Sequence, residues 1–195
     1  MVAGTTSLDP ALLTRVRERL AARDWRSVTV AELAEAAGLS RMTLHRRGIT
    51  KAQVLAQLGD YLETEYREAM YGALTAPGSA RERLGEALRA ICVVDERYLG
   101  VLDALAGGGL DPVFHDEGDR DEPVLTRAAF TDGLRRLLED GALDGSITVA
   151  DPAETATLLF NAVGHTYRHM RTGHRWTARV ARERIVALVL DGLPV

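Results

Sequence analysis

Arg41, Met42, Thr43, His45, Arg46 and Arg47 fall in one run of seven positions. They share it with one strongly apolar residue, Leu44. A short helix here would be anchored by Leu44 and would leave the other six side chains free to enter a DNA groove. The preceding residues suit that presentation. Thr29-Val30-Ala31-Glu32 forms a capping box that opens a helix. Ala34, Ala36 and Ala37 are small where a second helix must cross closely, Gly38 permits a tight turn and Leu39 plugs the gap. Ser40 caps the second helix and points its N-terminal end outward. Two short helices joined by a glycine turn meet the physical requirement of a helix-turn-helix.

The charge distribution agrees with a DNA-facing head. The 195-residue chain has a net charge of −4, which taken alone argues against a nucleic-acid partner. Residues 1–51, however, carry nine Lys/Arg against five Asp/Glu, and the remainder carries 15 against 23. A basic head on an acidic body implies that the head meets phosphate and the body does not. With a single cysteine, Cys92, no intrachain disulfide is possible, and a reducing interior suits that count. No signal-peptide pattern and no bilayer-length apolar run is present, so the reading is a cytoplasmic protein without a membrane partner.

Thr29-x-x-Glu32-Leu33-Ala34-Glu35-Ala36-Ala37-Gly38-Leu39-Ser40-x-x-Thr43-Leu44, followed by Lys51 at the start of the next helix, resembles the signature of the TetR family of transcriptional regulators. The motif covers about the first quarter of the chain. The resemblance implies an all-α protein. An N-terminal three-helix helix-turn-helix domain would occupy residues 1–51, and an effector-binding and dimerisation domain residues 52–195. It implies that Arg41 and Met42 read bases, since arginine pairs bidentately with guanine and methionine can meet a thymine methyl. Thr43, Arg46, Arg47 and Lys51 would lie at phosphates, which set register rather than sequence. Thr29 would add its helix N-terminus to those contacts. Two positions depart from the family pattern. His45 stands where an aromatic is usual, and still offers a hydrogen bond to phosphate or base. Gly48-Ile49 stands where Phe-Pro is frequent, which removes a packing group between the third and fourth helices.

These side chains require a helical scaffold, and the chain reads as helices throughout. Asp9-Pro10 opens the first, with Leu12, Leu13, Val16 and Leu20 inward. A capping box at Thr50–Gln53 opens a long fourth helix that Pro77-Gly78 ends. Another at Ser79–Glu82 opens a stripe from Leu84 to Leu102, with a break expected near Arg97 and an end at Gly107-Gly108-Gly109. Leu110–Glu122 reads as an acidic loop, and Pro123–Glu139 as the next helix. The last two helices run from Asp151 to Arg171 and from Thr177 to Asp191. Leu158, Leu159, Val163, Tyr167 and Met170 lie on the first of these, and Val180, Ile185, Leu188 and Val189 on the second. Their apolar residues occupy more than one side, so the surplus should meet the same helices of a second copy in an isologous homodimer.

Other constellations carry less. His165 and His169 share one helical face, which suits either a metal needing further ligands or a helix–helix interface, and no metal is expected. His115, Asp116, Asp119 and Asp121 crowd the acidic loop and read as solvated. Asp95 interrupts an apolar stripe, where it would touch a ligand, pair with an arginine or mark an exposed helix break. Tyr61, Tyr66, Asp95 and Tyr98 are the candidate effector-binding residues, lining a cavity between Lys51 and Arg171. No catalytic constellation and no cofactor motif stands out. The reading is therefore a ligand-responsive repressor, with double-stranded operator DNA and a small effector as partners. Its rivals are an architectural DNA-binding protein without a cavity and a helical enzyme with a DNA-binding head.

Overall fold

The computed structural model describes residues 8–20, 23–107, 114 and 125–192, and among these the chain is all-α. The helices are α1 (Pro10–Leu20), α2 (Val30–Ala37), α3 (Arg41–Arg46), α4 (Lys51–Thr75), α5 (Ala80–Gly107), α6 (Ala128–Asp144), α7 (Pro152–Thr172) and α8 (Ala178–Asp191). A single 3-10 turn, Trp25–Ser27, lies between α1 and α2. No described helix is long and apolar enough to cross a membrane.

The packing falls into two compact units, and α4 and α5 each contribute to both. One contains the described residues up to Leu62 together with α5 from Arg97 onward; the other contains Glu63–Glu96 and the later helices. The unit that holds the helix-turn-helix therefore extends beyond Lys51. Its core is built from Leu12, Leu13, Val16, Leu33, Leu44 and Leu58, all buried. In the second unit α6 packs on α7 and α7 on α8 around Leu88, Ile91, Leu134, Leu137 and Val163.

Most helix starts are where their capping residues place them. Thr50 and Gln53 exchange capping bonds at 2.9 and 3.1 Å, and Asp151 accepts from the amides of Ala153 and Glu154. Two boundaries differ from the sequence reading. α5 is continuous through Arg97, because Asp95 is buried inside the stripe rather than expelled from it. α6 begins at Ala128 rather than Pro123 and runs past Glu139 to Asp144, where Gly145 takes a left-handed conformation (φ 74°). The loop residues His115, Asp116, Asp119 and Asp121 lie outside the described residues.

Candidate functional site

The helix-turn-helix is closed by two glycines of equal standing. Gly38 (φ 69°) ends α2 with the Leu39 amide donating to Ala34 O at 2.8 Å and its own amide to Glu35 O. Gly48 (φ 64°) ends α3 in the same way, with Ile49 N to Leu44 O and Gly48 N to His45 O, both at 3.0 Å. Each is a Schellman closure, which needs a left-handed residue after the last turn. Gly48 is thus a helix terminator, where the sequence reading saw only a lost packing group.

Within this frame the polar groups divide into those committed to the fold and those left free. Ser40 caps α3 through the Thr43 amide at 3.1 Å, and the two hydroxyls lie 2.9 Å apart. Thr29 exchanges both capping-box bonds with Glu32, and these hold the Glu32 carboxyl below its usual range. Lys51 is half-buried: its ammonium donates to Arg26 O at 3.2 Å and Val28 O at 2.9 Å, and sits 5.8 Å from the centre of the Trp25 ring. It fastens the 3-10 turn and the start of α2 to α4. Trp25 itself escaped the sequence reading, though a lone tryptophan just ahead of a Ser-Val-Thr-Val run was the signal that pointed to a plug. Leu44 is buried and anchors α3 as expected.

Arg41, His45, Arg46 and Arg47 are all exposed, Met42 is 74% exposed, and none of the five has a side-chain hydrogen bond or ion pair among the described residues. Leaving three guanidiniums uncommitted on one short helix is the electrostatic arrangement that a polyanion would complete.

The second unit encloses one polar pair in its interior. Asp95 and Tyr66 are both fully enclosed, and the Tyr66 hydroxyl donates to Asp95 Oδ1. Asp95 Oδ2 has no hydrogen-bond partner among the described residues, and a methyl group placed on Gly164 of α7 would come within 3.2 Å of it. Burial lifts the Asp95 carboxyl from 3.8 to about 6, against the pull of Arg168 and the Tyr66 bond, and the same burial pushes the Tyr66 phenol well above its usual range. The Tyr66 ring meets Phe130 and Phe160 edge-on at 5.6 and 5.3 Å. Of the four candidate effector residues, the structure joins these two. Tyr61, half-buried, and Tyr98, fully buried beneath the Arg17 guanidinium, belong to the unit that contains the helix-turn-helix.

A second polar cluster was missed in the sequence. Glu96 takes both arms of Arg171, at 2.6 and 2.7 Å, and accepts from the Tyr167 hydroxyl at 2.7 Å, which holds its carboxyl low. A charge beside Asp95 on α5, with an arginine and a tyrosine four apart on α7, was the available signal. Tyr167, Val163 and Ile185 turn inward, whereas Leu158 (69%), Leu188 (54%), Val180, His165 and His169 face solvent. His165 Nδ1 lies 2.7 Å from Arg168, and no group of three metal-capable side chains occurs among the described residues. The same unit carries an open groove of about 520 Å³ between α4 and α6, bounded by Met70, Tyr71 and Leu74 on one wall and Ala128, Gly133 and Arg136 on the other.

Solved structures share this arrangement over nearly the whole chain. The fold is that of the TetR/AcrR-family transcriptional regulators. A TetR/AcrR-family regulator from Thermobifida fusca aligns with a TM-score of 0.67 at 20% identity, covering 94% of this chain and 97% of that one. The TetR-family regulator PfmR from Thermus thermophilus aligns at 0.67 and 19%, covering 96% and 100%. The regulator FadR from Bacillus subtilis, solved in complex with stearoyl-CoA, aligns at 0.64 and 15%, covering 94% and 98%. No protein-family model and no curated protein matches the chain. In a TetR fold, α2 and α3 are the helix-turn-helix, and α3 is the helix whose free side chains were described above.

Proposed function

We propose that this chain is a TetR-family transcriptional regulator, a repressor, that binds a palindromic operator as a homodimer and releases it in response to a small effector. The observation that carries this reading is the surface of α3: Arg41, Met42, His45, Arg46 and Arg47 exposed and uncommitted on a helix fixed by Leu44, Ser40 and Gly48. Arg41 and Met42, in the first turn, read bases, and Thr43, His45, Arg46 and Arg47 meet backbone or flanking edges. Lys51 and Thr29 shape the approach to phosphate through the α2 N-terminus that Lys51 fastens. Residues 1–51 form the DNA-binding part and 52–195 the effector-binding and dimerisation part.

The homodimer rests on α7 and α8, where Leu158, Val180 and Leu188 are apolar and uncovered in the single chain. A two-fold pairing of those faces buries them, and a palindromic operator takes two α3 helices in successive major grooves, roughly 34–36 Å apart. Response to an effector is supported by the buried Tyr66–Asp95 pair with its unsatisfied oxygen and by the 520 Å³ groove, a volume in the range of small-molecule sites (~300–1,000 Å³). The groove is open, and none of Tyr61, Tyr66, Asp95 and Tyr98 lines it, so the cavity expected around those four residues is a separate part of the proposal. An effector weakens DNA binding by the margin with which it prefers the conformation that fits the operator poorly.

Selection from a random duplex library by the full chain, with its mass measured at micromolar concentration, tests the reading. A two-fold symmetric enriched sequence and a dimer mass support it. An unenriched pool or a monomer mass contradicts it.

A further inference from the structure

From the placement of Met42 on α3 we infer that it reads a C5-methyl group in the major groove, so that each operator half-site carries thymine or 5-methylcytosine at one fixed position. This rests on the DNA-binding reading and deepens it. Successive residues of a helix are turned by about 100°, so the two positions furthest round from Leu44 are Met42 and Arg46, each about 160° away. Leu44 is buried and fixes α3 to the head. The line through Met42 and Arg46 is therefore the one that projects outward, and Met42 is 74% exposed on it. A recognition helix meets base edges with its N-terminal residues, and Met42 is the second residue of α3, just after the Ser40 cap. Met42 alone combines the outward line with the first turn. Arg41, about 60° from Leu44, reaches in from the flank, and Arg46 stands one turn later.

The side chain on that outward line is apolar where its neighbours are cationic. Arg41, Arg46 and Arg47 are exposed around it, and three guanidiniums commit this face to a polyanion rather than to the surface of a second protein. A thioether donates no hydrogen bond and accepts only weakly, so Met42 cannot answer the donors and acceptors by which guanine, adenine and cytosine are told apart. Its contribution must come from removing apolar surface from water. Among the base edges of the major groove, the apolar group on offer is the C5-methyl of thymine. A C5-methyl on cytosine sits at the same place on the pyrimidine ring and offers the same surface, whereas uracil and unmodified cytosine lack it. The unbranched, flexible methionine side chain adapts to such a contact without a fixed bonding geometry. Covering one methyl group should be worth about fourfold in affinity, and the two half-sites of a dimer together about fifteenfold.

Uracil scanning of the duplex that the full chain enriches from a random library tests the assignment. Each thymine is replaced by uracil in turn, symmetrically in both half-sites, which removes the methyl group and leaves the hydrogen-bonding edge unchanged. At one position the wild-type affinity should fall about fifteenfold. Met42→Ala, too short to cover the methyl, should bind the thymine and uracil forms of that position within about twofold of each other, and should unfold at the wild-type temperature because the position is exposed. With a C·G pair placed there instead, 5-methylcytosine in both half-sites should bind wild type about fifteenfold more tightly than cytosine, and Met42→Ala should not distinguish them. Undiminished binding at every uracil position, or the same uracil penalty in wild type and Met42→Ala, overturns the role of Met42 and leaves the regulator reading standing. A library from which no duplex is enriched overturns both.

Discussion

Polar side chains in α3 and polar side chains around Asp95 are in opposite states. On α3 the arginines lie in water without partners, at no desolvation cost, held ready by a backbone that the caps and glycines make rigid. Around Asp95 the charge is enclosed, one oxygen is bonded to Tyr66 and the other to no group among the described residues, which is costly and persists only because the surrounding helices hold it there. The first arrangement suits a large external polyanion. The second stores free energy that a change of packing or protonation can release. The two regions should therefore respond to mutation in different ways, one through DNA affinity and the other through stability.

The largest separation should come from Leu44→Ala beside Met42→Ala. Leu44 is buried and its truncation should cost about 2–5 kcal/mol of unfolding free energy in the head. Met42 is 74% exposed and its truncation should leave stability within about 0.5 kcal/mol. Denaturant unfolding of both variants checks this, and equal losses would remove the distinction between anchor and reader on α3.

Asp95 supplies the corresponding test in the second unit. Its carboxyl is raised from 3.8 to about 6, so the folded chain holds this proton more tightly than the unfolded one. The associated stability is fully present below about pH 4 and is lost as pH rises through about 6, a swing on the order of 3 kcal/mol. Asp95→Asn lacks that proton. Relative to Asp95→Asn, the wild-type chain should therefore lose stability between about pH 4 and about pH 7, which thermal unfolding across that range reports. A parallel pH profile for the two proteins would show that Asp95 is not enclosed.

Gly48→Ala sharpens the comparison on the head side. At φ 64° an alanine is strained by about 1–2 kcal/mol although no atom obstructs its methyl group. Its unfolding midpoint should fall while Gly72→Ala, in open space within α4 at negative φ, should be neutral or slightly stabilising. A smaller loss than that of Leu44→Ala belongs to Lys51→Ala, which should cost about 1 kcal/mol of head stability through the lost bonds to Arg26 O and Val28 O. An unchanged stability with a strong loss of DNA affinity would return Lys51 to a direct phosphate role.

The helices and the helix-turn-helix were legible because they are written in local signals: capping boxes at Thr29, Thr50 and Ser79, the glycine at 38, and apolar stripes. The start of α6 was not, because Arg127 caps it with no side-chain bond and the Pro123 signal lies upstream. The exposure of Arg41 and Met42 was legible for the same local reason. What escaped was whatever depends on a neighbour distant in sequence. Lys51 reads as a free cation until Trp25, Arg26 and Val28 fold against it, and Glu96 reads as surface until Tyr167 and Arg171 close on it. Tyr61 and Tyr98 lie on the same helices as Tyr66 and Asp95, yet they pack in the other compact unit, a division that helical periodicity does not reveal.

The most direct measurement is a titration of wild type, Arg41→Ala and Arg46→Ala against the selected duplex and a random duplex of equal length, repeated across salt concentrations. The expected result is a wild-type preference of at least about 10³ for the selected duplex. Arg41→Ala should lose about 1–3 kcal/mol on that duplex alone, and Arg46→Ala should weaken both duplexes alike and lower the salt slope by about one. Equal wild-type affinity for the two duplexes, with Arg41→Ala and Arg46→Ala indistinguishable, would contradict a base-reading α3.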